Sequence, residues 1–534
     1  MAIRQVVDGQ AGLPTPDSTK SYWHKEPSEK LLGHRTTADL PDKADYVIVG
    51  SGITGAFAAH FLKNGAGRAA SVVMLEAREA CWGATGRNGG HCQPFLYTAE
   101  PEAAHFELET YRFLRDFVAA RQVPCDWQSR PGVHALLSED LVGLVAAHIA
   151  VLQRTHPDIA SQVELVRDGA RLAGELRLPT ARAAVVQRNA ASLWPYKLVA
   201  HVLESLLAEF PSSPSSFNLQ TATPVTRLER AAGSQTHPWT LHTPRGRVAA
   251  ATVLLATNGY TSRLLPCLSD IITPCRSQVA ALTPPPVTTT TGVADISHSY
   301  VFFGTDPPHG RDDYLIQRPL SKEPTAATTT IGGRGGGGGG ELILGGGREH
   351  ARNMAVGEWR DDEVEPRVGA HLRAALPGTL DMSADPGSPA PPVRDRDDAP
   401  LEATFEWTGI MGFSRDHRPW VGAVPACAYP EPPTDTGTDT GTGTDGPGGL
   451  YLCAAYTGHG MPVAALAARA VVNMMTGTTT PGDGGEQPEK LPASWVMTEQ
   501  RLRRARDEWD TIAEFERKGL MVIAGKPVSL VSST

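Results

Sequence analysis

The chain is predicted to be α/β, with a Rossmann-type βαβ unit near its N-terminus and a second region built on an antiparallel sheet. Three observations carry this. A short apolar run, a glycine turn, a small-residue helix and a second apolar run follow one another over residues 45–76. Two later stretches repeat apolar residues at helical spacing. Strand-length runs are scattered between and after them. The 534 residues, 41% hydrophobic and 20% charged, suit a globular chain with large buried cores. A net charge of −9 disfavours nucleic acid or an anionic membrane as the principal partner.

Residues 1–39 are polar and turn-rich, an extended arm whose Trp23 is expected to be pinned in a surface groove. Asp45–Val49 has the continuous apolar character of a buried parallel strand, and Ala56–Lys63 continues as a helix that packs on a sheet. Ser71–Leu75 is the second strand, ended by Glu76. Leu108, Tyr111, Leu114, Phe117 and Val118 mark one helix face. Leu198, Val199, Val202, Leu203, Leu206, Leu207 and Phe210 mark another. Strands are expected at 223–228, 239–243 and 252–256, and 314–317 with 342–344 form a hairpin pair. The Gly-rich tract 328–341 and the Thr/Asp/Gly-rich tract 430–449 cannot bury enough apolar surface to offset chain entropy, so both are expected to be mobile loops. Residues 498–517 are expected to form one charged surface helix anchored by Leu502, Trp509 and Ile512.

Seven cysteines without paired spacing argue against a disulfide framework and against a zinc cluster; no metal is expected. The N-terminus lacks a secretory apolar core, no stretch approaches a membrane span, and the C-terminus is no peroxisomal tripeptide. The cytoplasm is therefore the expected compartment.

Gly50-Ser51-Gly52-Ile53-Thr54-Gly55 matches G-x-G-x-x-G between a strand and a helix. The first glycine allows the turn and the second lets backbone approach a pyrophosphate. The third brings helix and strand together, and the helix N-terminus offers free N–H groups to the anion. Glu76 stands where an acid receives ribose hydroxyls, with Ala77 beside it. The same pattern recurs at Gly441-Thr442-Gly443-Thr444-Asp445-Gly446, inside a low-complexity tract with no preceding strand, and is assigned no function. The loop Gly83-Ala84-Thr85-Gly86-Arg87-Asn88-Gly89-Gly90 is too glycine-rich for a regular element. Its backbone must approach something closely, and Arg87 offers a partner for a pyrophosphate.

This loop, following the dinucleotide pattern and Glu76, resembles the FAD-dependent amine and D-amino-acid oxidase (DAO) superfamily. Within it the chain is most similar to fungal FAD-dependent oxidoreductases related to γ-glutamylputrescine oxidase and sarcosine oxidase. The likeness spans roughly residues 20–510. Val225 resembles the strand whose backbone meets adenine, and Thr257 with Gly259 the second pyrophosphate-side turn. Residues 313–319 and 344–348 resemble the substrate-domain hairpin, and 407–416 with 419–422 the return into the flavin domain. Gly458-His459-Gly460-Met461 resembles the turn whose helix points at the pyrimidine edge of the flavin.

The resemblance implies a glutathione-reductase-like FAD-binding domain from residues 40–96, 186–275 and 405–478, and an antiparallel substrate domain from 97–185 and 276–404. A tail with the surface helix covers 479–534. It further implies oxidation of a C–N bond of a small amine or amino acid by hydride transfer to flavin N5, with O2 as acceptor giving H2O2. Tyr314 is the first candidate for a substrate-facing group, His91 a second. Arg348 or Arg415 is a candidate to hold a substrate carboxylate. His91 and Cys92 lie where some relatives attach flavin covalently. Three alternatives stay open: a flavin dehydrogenase with another acceptor, an NAD-dependent dehydrogenase, and a non-catalytic flavoprotein-like scaffold. The second leaves the loop at 83–90 and the turn at 458–461 unexplained.

Overall fold

The structure, a computed structural model, describes residues 9–211, 216–231, 234, 236–285, 294–304, 311–320, 339–383, 386, 399–430, 449–478 and 490–529. Most of the two low-complexity tracts, with the second G-x-G-x-x-G copy, lies outside these residues.

The first sheet is built around the predicted βαβ unit. Strand Lys43–Val49 lies between Gly246–Leu255 and Val72–Leu75, all parallel, and helix Ile53–Asn64 connects the first to the third of these. Leu450–Ala454 extends the parallel set on one side and Phe217–Gln220 on the other; Trp420–Ala423 closes one edge antiparallel. Helices Ile53–Asn64, Pro195–Glu209 and Ala464–Thr476 bury their apolar faces on one side of this sheet. The hairpin Arg227–Arg230/Trp239–Thr243 and the turns at 258–268 cover the other. Burial on both faces explains the unbroken apolar runs in its strands.

The second sheet has nine strands, centred on the expected hairpin: Arg311–Gln317 pairs with Leu342–Gly346, Tyr314 opposite Gly345. It is antiparallel except where Ser299–Gly304 runs parallel to Gln128–Leu136. Strand Ala183–Ser192 pairs wholly within this sheet, so the boundary expected at 185/186 falls inside a strand. Ile272–Leu282 and Ala403–Ser414 also belong to it and cross the boundaries drawn at 275/276 and 404/405. Sequence spacing shows that a strand exists but not which sheet it joins.

Four local expectations differ. Trp23 sits in the main core, fully buried, not in a surface groove; its indole donates to the Asn88 carbonyl at 2.6 Å. The strand expected from 223 begins only at Arg227, because Pro224 has no N–H to give a ladder. The loop at 83–90 contains one 3-10 turn, Ala84–Arg87. The single C-terminal helix is two, Glu499–Glu508 and Ile512–Arg517, since Thr511 and Glu514 form a capping box that starts the second. All seven cysteines are free, as their spacing implied. Among the described residues no helix is long and apolar enough to cross a membrane.

Candidate active site

The C-terminal ends of the parallel strands meet at one edge of the first sheet, where open α/β sheets bind ligands. Gly50 N donates to Leu75 O at 2.9 Å and Ala256 N to Val49 O at 2.9 Å, which fastens the three turns together. Gly50 adopts φ +106°, and a Cβ there would meet Ala256 O at 2.6 Å. A Cβ at Gly55 would lie 2.0 Å from Gly50 O, the close helix–strand packing that the third glycine of the pattern predicts.

From this edge a cavity of about 590 Å³ runs toward the second sheet. Of the residues expected to contact a cofactor, Gly50, Gly52, Ile53, Thr54, Glu76, Ala77, Gly83, Ala84, Thr85, Arg87, Asn88, Gly89, Val225, Thr257, Gly458, His459, Gly460 and Met461 line it. Gly55, Gly90 and Gly259 do not. Gly55 packs on the strand, Gly90 against Trp23 and Ile316, and Gly259 against Met411 O. Separate parts of the chain are tied together around the cavity: Thr54 Oγ1 is 2.7 Å from the Tyr456 hydroxyl, and Asn258 Oδ1 accepts Ala455 N at 3.0 Å.

At the nucleotide end, the buried Glu76 carboxylate accepts Ser51 N, Ser51 Oγ and Arg78 N, leaving acceptor capacity toward the cavity. Thr85 Oγ1 accepts Ile53 N at 3.0 Å, so the loop itself takes one of the helix's free N–H groups. Nothing lies within 4 Å of a Cβ built on Gly83, an open stretch of backbone. Arg87 differs from expectation. Its guanidinium is fully used by Trp82 O, Thr408 O, Thr19, Ser18 and Asp361, so it builds the loop and is not free for an anion. A different cation was missed. Arg263, at the end of the turn Asn258–Arg263, lines the cavity with Nε buried and unpartnered.

At the other end, Tyr314 stands in a slot made by two glycines. A Cβ on Gly89 or on Gly345 would come within 2.3 Å of its ring. Burial raises its hydroxyl to about 12, so it is a proton donor at neutral pH. His91 meets the ring edge-on at 5.2 Å. Its Nδ1 faces Gly89 O at 3.2 Å and the buried ring also lies against the backbone of Leu315 and Tyr300; burial holds the imidazole down at about 4, hence neutral. Cys92 is fully buried and absent from the cavity wall. The His459 side chain is engaged by the protein: Nε2 lies 2.8 Å from Glu107 Oε2, and the ring stacks on Phe95 at 3.9 Å. Glu107 also accepts Phe95 N at 2.7 Å. A carboxylate on the apolar face of the helix Pro101–Arg121 was the available signal. Behind them the Gln93 amide donates to His134 Nε2, and His134 Nδ1 donates to the Tyr97 hydroxyl at 2.9 Å. Burial keeps that imidazole neutral, near 3.

Arg348 lines the cavity over the Phe413 ring at 4.5 Å, and its Nη2 is 2.7 Å from Glu516 Oε1. Arg415 does not reach the cavity; it binds Asp270 and the carbonyls of Arg506 and Trp509. The tail is part of the site, not only a surface appendage. Met521, Val522 and Gly525 of the terminal hairpin line the cavity, and Glu516 reaches it only through its pairing with Arg348.

None of the curated proteins matches the chain in sequence. Solved structures share its fold. Glycine oxidase from Geobacillus kaustophilus superposes with a TM-score of 0.59 at 14% identity, covering 86% of this chain and 99% of that one. L-amino acid deaminase from Proteus vulgaris, lacking its specific insertion, gives 0.56 at 16% identity over 86% and 96%. L-proline dehydrogenase from P. horikoshii gives 0.55 at 16% over 83% and 96%. A family model described as FAD dependent oxidoreductase matches residues 45–474, most of the chain. The chain therefore belongs to the FAD dependent oxidoreductase (DAO) family and is a flavin enzyme.

Proposed function

We propose that the protein oxidises a C–N bond of a small amine or amino acid and passes the electrons to O2, giving H2O2. The observation that carries this reading is a single cavity with the dinucleotide turn at one end and the Tyr314–His91 pair at the other. The residues present fit FAD. Gly50, Gly52, Ile53 and Thr54 with Ala84 and Thr85 would hold the diphosphate, where the orphaned Nε of Arg263 supplies the missing charge. Glu76, Ala77 and Val225 would hold the adenosine, and Gly458, His459, Gly460 and Met461 the flavin ring. When bound, FAD supplies a two-electron acceptor for the hydride of the substrate carbon.

The chain's own groups do the rest. Phe95, Val301 and Phe303 exclude water, which favours a neutral amine over an ammonium ion. His91, neutral and packed edge-on against the Tyr314 ring, holds that ring in place, and the Tyr314 hydroxyl donates to the substrate nitrogen. The Glu107–His459–Phe95 contacts fix the turn 458–461 in place. Because the similar structures include oxidases and a dehydrogenase, the acceptor is assigned by experiment. Monoamines, diamines, N-methyl amino acids and cyclic imino acids are offered to the holoenzyme in air and anaerobically. Peroxide in air together with flavin bleaching without air is expected for at least one class. Bleaching without peroxide moves the acceptor away from O2, and neither signal from any class overturns the proposal.

A further inference from the structure

Strand Arg311–Gln317 alternates across its sheet. Asp312 and Tyr314 face the cavity, whereas Asp313 is buried beneath, where it binds His371, Arg311 and Gly347 N. Asp312 is exposed where it lines the cavity, and no hydrogen bond or ion pair engages its carboxylate among the described residues. Of the cations near it, Arg348 is already paired with Glu516 and His371 with Asp313. The group Arg348, Glu516 and Asp312 thus carries a net negative charge.

The cavity's other arginines do not change this. Arg78 and Arg87 are paired with Asp361, Arg418 with Glu100, and Arg263 belongs to the turn at the far sheet. An unpaired carboxylate in a cavity wall gives a negative field that favours a cationic ligand over an anionic one. A substrate carboxylate, by contrast, meets Glu516 where it would need a free Arg348. Phe303 stands opposite Asp312 on the neighbouring strand, and Val301 opposite Tyr314, giving an apolar wall between the two. Two residues along a strand place Asp312 about 7 Å from Tyr314, the reach of a few methylenes.

Resting on the amine-oxidation reading above, we propose that the substrate is a linear amine bearing a second cationic nitrogen, which the unpartnered Asp312 carboxylate receives while Glu516 withholds Arg348 from carboxylate-bearing competitors. Asp312 is then a specificity-determining residue, distinct from the groups around the reacting carbon.

The test is anaerobic bleaching of the holoenzyme by diaminobutane, butylamine and N-methylglycine, with each giving a dissociation constant and a limiting rate. Calorimetry with the non-oxidisable dication bis(trimethylammonium)butane reads binding without turnover. Diaminobutane is expected to bind at least about tenfold tighter than butylamine, and Asp312→Asn to erase that preference. The same substitution is expected to abolish calorimetric binding of the dication. A preference that survives Asp312→Asn, or a wild type that favours N-methylglycine, overturns the inference. Should Asp312→Asn lose its flavin, Glu516→Gln carries the test. Freeing Arg348 is expected to tighten N-methylglycine about tenfold, and unchanged affinity overturns the inference. If none of the three compounds bleaches the flavin, calorimetry alone decides Asp312, and no binding of the dication by the wild type overturns the inference; the C–N oxidation reading itself falls only if cyclic imino acids also fail.

Discussion

Gly55→Val is expected to yield a folded but colourless protein. A Cβ at this position lies 2.0 Å from the Gly50 carbonyl, so helix Ile53–Asn64 must move away from its strand. The obstacle is backbone, which no side-chain rotation relieves. Overpacking of this kind costs about 1–3 kcal/mol. Here the displacement falls on the turn proposed to hold the diphosphate. At 1.4 kcal/mol per tenfold, the loss in FAD affinity is about 5- to 140-fold. The readout is flavin absorbance per chain after purification, with far-UV circular dichroism to establish that the fold is retained. Full flavin content would show that this turn is not the cofactor's anchor.

Asp361→Ala is expected to be the most destabilising single change in the molecule. Asp361 is fully buried and pairs with Arg78 at 2.9 Å and Arg87 at 3.5 Å, both arginines themselves nearly inaccessible. Its Oδ1 also accepts the Thr15 hydroxyl at 2.5 Å, and its backbone carbonyl accepts Thr19 N and the Thr408 hydroxyl. One carboxylate therefore ties the N-terminal arm to the glycine loop, with its backbone reaching strand Ala403–Ser414. Removing it leaves two guanidinium groups buried without a counter-charge, at a cost of about 3–5 kcal/mol. Asp361→Asn, which keeps a hydrogen-bonding oxygen but no charge, is expected to fall between the two. Chemical denaturation of the holoenzyme measures both, and an Asp361→Ala loss below about 1 kcal/mol, the scale of an exposed pair, would contradict this role.

The nucleotide half of the site was legible because local order alone specifies it. Strand, G-x-G-x-x-G, helix, strand and Glu76 lie in one short segment, and each glycine has a steric reason visible in the pattern. What was not legible depends on residues far apart in sequence. Arg87 sits in the right loop, but the partners that use up its guanidinium come from residues 18, 19, 361 and 408. Gly89 lines the cavity as expected, yet its missing side chain makes room for Tyr314, more than two hundred residues away. The terminal hairpin lines the cavity, and Glu516 pairs with its Arg348, from a segment beyond the family match, where no motif directs attention. The capping box at Thr511–Glu514 was readable and separates the tail into two helices.

A crystal structure of the oxidised holoenzyme tests the central claim most directly. One FAD is expected along the cavity, its ribose against Glu76, its diphosphate over residues 50–54 near Arg263, and its ring between the turn 458–461 and Tyr314. Density for the dinucleotide elsewhere, or a ring that reaches neither His459 nor Tyr314, would contradict the account.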